Sequence, residues 1–247
     1  MNREITPEVL ETLSKYDTPT ICNVIELFDL RPRTAGYMDQ RIVCCFPEIP
    51  PMVGFAATAT FRGSTPNQDL SYGGLEQHVQ SFSELPGPAI VVFEDLDQPV
   101  VAATFGEIMC TSYKRFGARG LITSGAGRDL DQVQNLDFPV FTNGTICSHG
   151  YSRFPSIGVT VHVGGVTIQP GDLIHGDRNG ITTIPLEIAE PVARLCHSYM
   201  EAEAIILTYL KQPNVTPGGL AQAQKECKDY LKKLADTIDE RPGHKRT

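Results

Sequence analysis

The run AIVVF at residues 89–93, the helically spaced FGEIMCTSYKRF at 105–116 and the run GLIT at 120–123 decide the fold. The two runs are apolar, of strand length and rich in β-branched residues, as strands buried on both faces require. Between them Ile108, Met109, Ser112 and Phe116 recur at helical spacing. A second helix is expected over Asp129 to Leu136 and a third strand at Phe138-Pro-Val-Phe141, so the segment reads as strand, helix, strand, helix, strand: a parallel sheet with right-handed crossovers. Outward toward the C-terminus the period changes to two. IGVTVHV from 157, VTIQ from 166, LIHG from 173 and ITTIP from 181 are joined by Gly164-Gly165, Pro170-Gly171-Asp172 and Asp177-Arg-Asn-Gly180, which predicts an antiparallel meander. A long helix is expected from Glu187 to Lys211, a linker from Pro213 to Gly219, an amphipathic helix from Leu220 to Ile238, and a frayed tail, RPGHKRT. Toward the N-terminus, MVGFAATATF (52–61) is β-like with small residues, and Arg41 to Cys45 has room for one strand within a long connection. Thr6-Pro7 and Thr18-Pro19 each set a capping hydroxyl before a proline suited to a helix start.

Composition narrows the function. Of 247 residues, 21 are Lys or Arg and 29 are Asp or Glu, a net charge of −8 with a pI near 5.2. Wrapping nucleic acid needs a basic stripe, and none is present. The 41% hydrophobic and 20% charged fractions are those of a globular chain. The opening MNREITPEVLETL is too charged for a signal peptide and no segment reaches the length of a membrane span, so a soluble, cytoplasmic protein is expected. Seven scattered cysteines without a C-x-x-C pair read as free, mostly buried thiols in a reducing compartment.

Ligands of a parallel sheet gather at the carboxyl ends of its strands, where helix N-termini present free N–H groups. Two such loops are readable: Thr104-Phe105-Gly106-Glu107-Ile108-Met109 and Ser124-Gly125-Ala126-Gly127-Arg128-Asp129. Neighbouring crossovers should set both on one crevice. Arg128 and the amides of Ile108 and Met109 suit a small carboxylate, with Gly106 permitting close approach. Asp129 and Glu107 are hard oxygen donors of the kind Mg²⁺ accepts while keeping several waters. From the pattern alone Gly-x-Arg-Asp reads at least as readily as a glycine-rich turn, with Asp129 or Asp131 capping a helix and Arg128 on the surface, and Glu107 as a first-turn helix acid.

Taken together, these segments resemble a known family. GPAIVVFEDL, FGEIMCTSYKRFGARGLITSGAGRD, the L-x-x-P-V-F element at 136–141 and VTVHVGGVTIQPGDLIHGDRNGITTIP are similar to RraA-like proteins and to 4-hydroxy-4-methyl-2-oxoglutarate or 4-carboxy-4-hydroxy-2-oxoadipate aldolases. TPTICNVIE and MVGFAATA resemble that family's opening, and the likeness runs from 17 to about 210. It implies a layered α/β sandwich of swivelling-domain-like topology: a parallel β-α-β core, then an antiparallel meander and C-terminal helices. It implies one catalytic domain over 1–211, with 212–247 as linker, helix and tail. It implies a homotrimer or homohexamer with active sites at subunit interfaces, and a class II aldolase that uses Mg²⁺ or Mn²⁺ to release pyruvate from a 2-oxo acid substrate, with oxaloacetate decarboxylation as a side activity. In that implied site Arg128 contacts the keto and carboxylate oxygens of the pyruvyl unit and Asp129 holds the metal. Glu107 orients a metal-bound water, the Ile108 and Met109 amides bind the carboxylate, and Glu203 reaches a neighbouring subunit's metal waters.

Two features depart from the family. Ser124-Gly125 stands where an Asp-Gly pair is usual, which removes a carboxylate expected at the rim of the site. Thr142 to Phe154, with His149, Tyr151 and Arg153, is unusual in sequence and borders the same edge, where it reads either as a contact for a distal acid group or as a surface loop. Lys114 reads as a structural or surface lysine, and His162 and His175 as core or surface strand residues. The other reading of the whole chain is a non-catalytic protein like the family's ribonuclease-binding regulators, which use an acidic surface; such a protein has no need of Arg128, Asp129 and Glu107.

Overall fold

The computed structural model describes residues 5–66 and 74–239. The elements in chain order are α1 (Pro7–Leu13), α2 (Thr18–Glu26), β1 (Val43–Cys44), β2 (Met52–Phe61), α3 (Leu75–Gln80), β3 (Ala89–Asp95), β4 (Ala103–Phe105), α4 (Glu107–Arg115), β5 (Gly120–Thr123), β6 (Ala126–Gly127), α5 (Leu130–Gln134), β7 (Val140–Thr142), β8 (Val161–Val163), β9 (Val166–Ile168), β10 (Leu173–Asp177), β11 (Gly180–Ile184), α6 (Ala189–Leu210) and α7 (Pro217–Asp239).

A seven-stranded sheet runs β1-β7-β5-β3-β2-β10-β11. Strands β2, β3, β5 and β7 are mutually parallel, as the apolar runs predict, while β1, β10 and β11 pair antiparallel at the two sides. The central β2 is buried at every position. Its odd residues, including Phe55, Ala57 and Phe61, face helices: α4 and α5 toward the β5 side, α1, α2 and α6 toward the β10 side. Its even residue Ala56 lies with Ile90, Val92 and Ile122 against Val161, Val163 and Ile168 of the β8–β9 hairpin. The result is a mixed α/β fold of helices, sheet and ribbon in layers.

The expected four-strand meander is corrected. β8 and β9 form their own two-stranded ribbon, turned by Gly164 and Gly165 at φ 56° and 77°, whereas β10 leaves it to pair with β2. The ribbon is needed to cover the second face of the sheet, and a continuous meander would leave that face open to water. Asp17, one residue ahead of the expected Thr18, caps α2 by accepting from the Thr20 amide at 2.9 Å. The Thr18 hydroxyl is instead 3.0 Å from Nδ1 of the buried His175, whose Nε2 lies 3.2 Å from the Leu13 carbonyl, tying α1 and α2 to β10. α7 starts at Pro217 and packs along α6, with Ala223, Cys227 and Ile238 buried. The tail RPGHKRT lies outside the described residues. No helix among the described residues is long and apolar enough to cross a membrane.

A second buried histidine anchors α4. His78 on α3 makes an Nε2 contact of 3.2 Å with the Ala57 carbonyl, which can only accept, so Nε2 carries the proton and Nδ1 accepts from the Tyr113 hydroxyl at 2.9 Å. Phe82, Phe93 and Phe154 pack edge-on around the ring, and burial pushes its imidazole down to about 4. On the outer side of α4, Lys114 donates to the Leu136 carbonyl, a structural role.

Candidate active site

The two strand-to-helix loops do more than lie side by side. Each contains a short strand, β4 before α4 and β6 before α5, and these pair in parallel, Ala103 with Ala126 and Phe105 with Gly127. The Arg128 amide then donates to the Phe105 carbonyl at 3.1 Å, so the start of α4 and the Arg128-Asp129 corner are set against each other by backbone bonds.

Asp129 has the left-handed conformation, φ 56° and ψ 39°, which Asp tolerates better than most residues. Its side chain makes no capping bond to its own helix α5. It reaches back to α4, where Oδ2 accepts from the Glu107 amide at 3.1 Å and lies 3.7 Å from Arg128 Nε, both side chains being 34% exposed. One carboxylate therefore takes the first free amide of α4 and holds the guanidinium beside it. The next amides, of Ile108 and Met109, belong to the same unsatisfied first turn. Gly106 leaves room for this arrangement: a Cβ at that position would lie 2.6 Å from Asp129 Oδ2 and 3.1 Å from Arg128 Nε, so the Asp129 carboxylate would have to shift.

Beside this corner opens a cleft of about 280 Å³, whose lining includes Thr104, Gly106, Ile108, Met109 and Arg128. Its remaining wall comes from Leu75 and from the 143–154 loop through His149, Tyr151 and Ser152. That loop is pinned by backbone bonds: Ala103 N–H to Ser148 O at 2.7 Å, Ile146 N–H to Gly127 O at 3.1 Å and Tyr151 N–H to Gly63 O at 3.0 Å. Leu75 carries no sequence signal, since only the folded position of α3 brings it to the cleft, whereas Thr104 and Ser152 belong to the segments that the sequence sets at this edge. Arg153 pairs back to Arg62 through its backbone and is not part of the lining.

Ser124 is also elsewhere. Its hydroxyl accepts from the Asp95 amide at 2.9 Å and lines a neighbouring cavity of about 600 Å³ with Asp95, Asp97, Asn143 and His162. The departure from the family at 124 thus leaves the lining of the Arg128 cleft untouched. In that neighbouring cavity Asp97 accepts from the Gly63 and Ser64 amides at 2.7 and 3.0 Å. Asp95 is buried, has no partner at Oδ2, and is pushed up to about 6, chiefly by desolvation.

Glu203, expected at a neighbouring subunit's site, lies on α6, where the Asn23 side-chain amide of α2 donates to it at 3.4 Å. Burial and then Asp17 push its carboxyl up. It does not line the Arg128 cleft of its own chain.

The donor set suits one kind of metal. No three His, Cys, Asp or Glu side chains cluster among the described residues. Asp129 keeps Oδ1 clear of described donors, and Glu107 starts the adjoining helix turn. One or two hard oxygens on an open rim fit a divalent ion that retains most of its own water, as Mg²⁺ does, rather than one caged by protein.

The signature of the RraA-like family, Aldolase/RraA, matches residues 18–183. A protein of Halalkalibacterium halodurans provisionally named 4-hydroxy-4-methyl-2-oxoglutarate aldolase is 38% identical over 101 residues, which are 40% of this chain and 47% of that protein. The chain thus spans about half the length of that relative. A protein of Hahella chejuensis with the same provisional name is 25% identical over 72% of this chain and 98% of its own length. Among solved structures, an uncharacterized protein from Pseudomonas syringae pv. tomato superposes with a TM-score of 0.71 at 22% identity, covering 91% of this chain and 96% of that one. Streptomyces coelicolor RraAS2, described as an unusual member of the RNase ES inhibitor RraA family, gives 0.64 at 21% identity, covering 81% and 96%. At those identities the likeness is one of fold. With the family signature spanning the sheet and both loops of the cleft, the chain belongs to the RraA-like aldolase/RraA family.

Proposed function

We propose that this protein is a divalent-metal-dependent aldolase that cleaves a 4-hydroxy-2-oxo acid and releases pyruvate. The observation that carries the reading is the corner at which Asp129, which like Glu107 is not among the cleft's lining residues, joins the cleft-lining Arg128 to the first amide of α4. Retro-aldol cleavage requires a proton acceptor at the C4 hydroxyl and an electron sink at the C2 ketone. Arg128 is the one fixed positive charge among the described lining residues. In this reading its guanidinium pairs with the keto and carboxylate oxygens and stabilises the enolate that develops as the C3–C4 bond breaks. The Ile108 and Met109 amides receive the carboxylate at the positive end of α4. Asp129 would hold Mg²⁺ or Mn²⁺, directly or through waters, which when bound would supply Lewis-acid polarisation of the 2-oxo group, and Glu107 would orient a water that takes the C4 hydroxyl proton and returns it to the enolate carbon. Asp129 also fixes the angle of Arg128. Oxaloacetate presents the same 2-oxo unit, so its decarboxylation follows as a side activity. Assembly as a homotrimer or homohexamer, with Glu203 serving a neighbouring copy, belongs to the same reading.

The test is pyruvate release by protein stripped with chelator and resupplied with Mg²⁺ or Mn²⁺, from 4-hydroxy-4-methyl-2-oxoglutarate, 4-carboxy-4-hydroxy-2-oxoadipate and oxaloacetate. Metal-dependent release is expected, and Arg128→Ala should lower it by about 10²–10³-fold without shifting the thermal midpoint. A fully active Arg128→Ala variant overturns the mechanism. Absence of pyruvate, together with capture of a ribonuclease that Arg128→Ala leaves unchanged, would replace it with a non-catalytic binding role.

A further inference from the structure

We infer that Asp95 is a positioning residue for the Arg128 cleft: acting through Thr104 it decides which way one hydroxyl donor faces, and a proton on Asp95 turns that donor to an anionic ligand. The inference rests on the aldolase reading only for the class of ligand, a small 2-oxo acid with an ionised carboxylate.

The cleft and the neighbouring cavity share a wall. Thr104 lines the first, Asp95 and Ser124 line the second, and Gly125 stands between them. A Cβ on Gly125 would lie no more than 2.5 Å from both Thr104 Oγ1 and Asp95 Oδ2, so the two oxygens converge on one face of a residue that has no side chain. Their residues are 1% and 7% exposed, which keeps a neighbouring copy from reaching between them.

The hydrogen bonds around the pair leave complementary needs. The Thr123 hydroxyl accepts from the Gly125 amide at 2.9 Å and donates to Thr104 Oγ1 at 3.1 Å. Thr104 is thereby an acceptor, and no acceptor among the described residues takes its own proton. Across Gly125, Asp95 Oδ1 accepts from the Asp97 amide at 2.9 Å, while the buried Oδ2 has no donor among the described residues. Ionised, Asp95 draws the Thr104 proton toward Oδ2. Because Oδ1 is committed to the Asp97 amide, a proton gained by Asp95 goes to Oδ2, which then donates to Thr104 Oγ1. A hydroxyl that accepts from both Thr123 and Asp95 has its own O–H left for the cleft. Burial raises the Asp95 carboxyl to about 6; the Asp97 amide lowers it, the Asp97 charge raises it and Arg62 lowers it. An ionised Asp95 also repels an anion on the other side of the wall, so charge and donor direction act with the same sign.

The test is calorimetric binding of pyruvate to the full chain supplied with Mg²⁺, between pH 8 and pH 5, a range over which the ligand stays ionised. In the parent the dissociation constant should fall about five- to tenfold from pH 8 to pH 5. Asp95→Asn keeps an oxygen for the Asp97 amide and sets an N–H group where Oδ2 stood. It should therefore bind at pH 8 about as tightly as the parent does at pH 5, with no step between. Comparing the two proteins at each pH cancels proton exchange at His149, which lines the same cleft. Thr104→Ser should keep the parent's step, and Thr104→Val, folded by its thermal midpoint, should lose it. Equal affinities of parent and Asp95→Asn at pH 8 overturn the inference, as does a full step in folded Thr104→Val; if that variant does not fold, the Asp95→Asn comparison decides alone. Pyruvate release from the 4-hydroxy-2-oxo acids is followed in parallel. The expected binding pattern without release removes the aldolase reading and leaves the role of Asp95 standing, and release with binding indifferent to Asp95 does the opposite. A protein that binds no pyruvate at any pH overturns both.

Discussion

At the scale of single residues, Asp129 joins two roles that are usually separate. Its backbone turns the chain through the left-handed region, and its carboxylate caps a helix 22 residues earlier in the chain. Substituting Asn keeps both the tolerance for that conformation and an oxygen able to accept from the Glu107 amide. Asp129→Asn is therefore expected to fold with a stability within about 1 kcal/mol of the parent. In the proposed mechanism pyruvate release should nevertheless fall about 10²-fold, because the negative charge that would hold a divalent ion beside Arg128 is gone. Thermal denaturation alongside the pyruvate assay checks both halves, and full activity in the Asn variant would show that the charge is not used.

At the scale of elements, β2 is the strand on which the layers meet, and its small residues are a packing requirement. Gly54 sits where a Cβ would lie 2.5 Å from the Pro88 carbonyl oxygen, an atom held in place by the Phe55 amide at 2.8 Å. Backbone cannot rotate aside as a long side chain can. Gly54→Ala should destabilise by about 1–3 kcal/mol through forced separation of β2 and β3. A lowered urea midpoint with an unchanged slope is the expected signature, and an unchanged midpoint would mean that the strand end relaxes freely. The 143–154 loop is the second decisive element: anchored to β4, β6 and Gly63, it delivers His149 and Tyr151 to the cleft, whereas Arg153 is not among the lining residues.

At the scale of the whole molecule, stability responds to pH through buried groups on different layers. His78 and His175 are both held below their ordinary value by burial. An unfolded chain binds protons at these rings near pH 6.5 and the native one does not, so their contribution is intact above pH 6.5 and falls in acid; that of His78 is lost as pH falls toward about 4, and His175 acts in the same direction. Asp95 works the other way. Its carboxyl is raised to about 6 against an ordinary 3.8, so its contribution is present in acid and is lost as pH rises through about 6. Asp95→Asn removes the opposing group. The variant should be more stable than the parent at pH 7.5, by about 1–3 kcal/mol, and should lose stability more steeply between pH 6 and 4. Thermal midpoints across that range test it, and parallel curves for the two proteins would assign Asp95 no part in the balance.

The sequence by itself determined what depends on near neighbours along the chain. The apolar runs at 89–93 and 120–123 with a helix between them became β3, α4 and β5 in a parallel sheet, and Gly164-Gly165 became a hairpin turn. It also singled out the two loops that meet, because parallel crossovers leave their strands at the same end of a sheet. Only the tertiary structure decided which strands pair across long separations: β10 leaves the ribbon for β2 because two faces of one sheet both had to be covered. Only it placed Ser124 in the neighbouring cavity, turned Asp129 from its own helix to α4, and set Tyr151 in the cleft with Arg153 outside. Periodicity reports the face of an element on which a side chain lies. Which partner meets that face is settled by packing and by hydrogen bonds between segments far apart in sequence, and no local pattern encodes that choice.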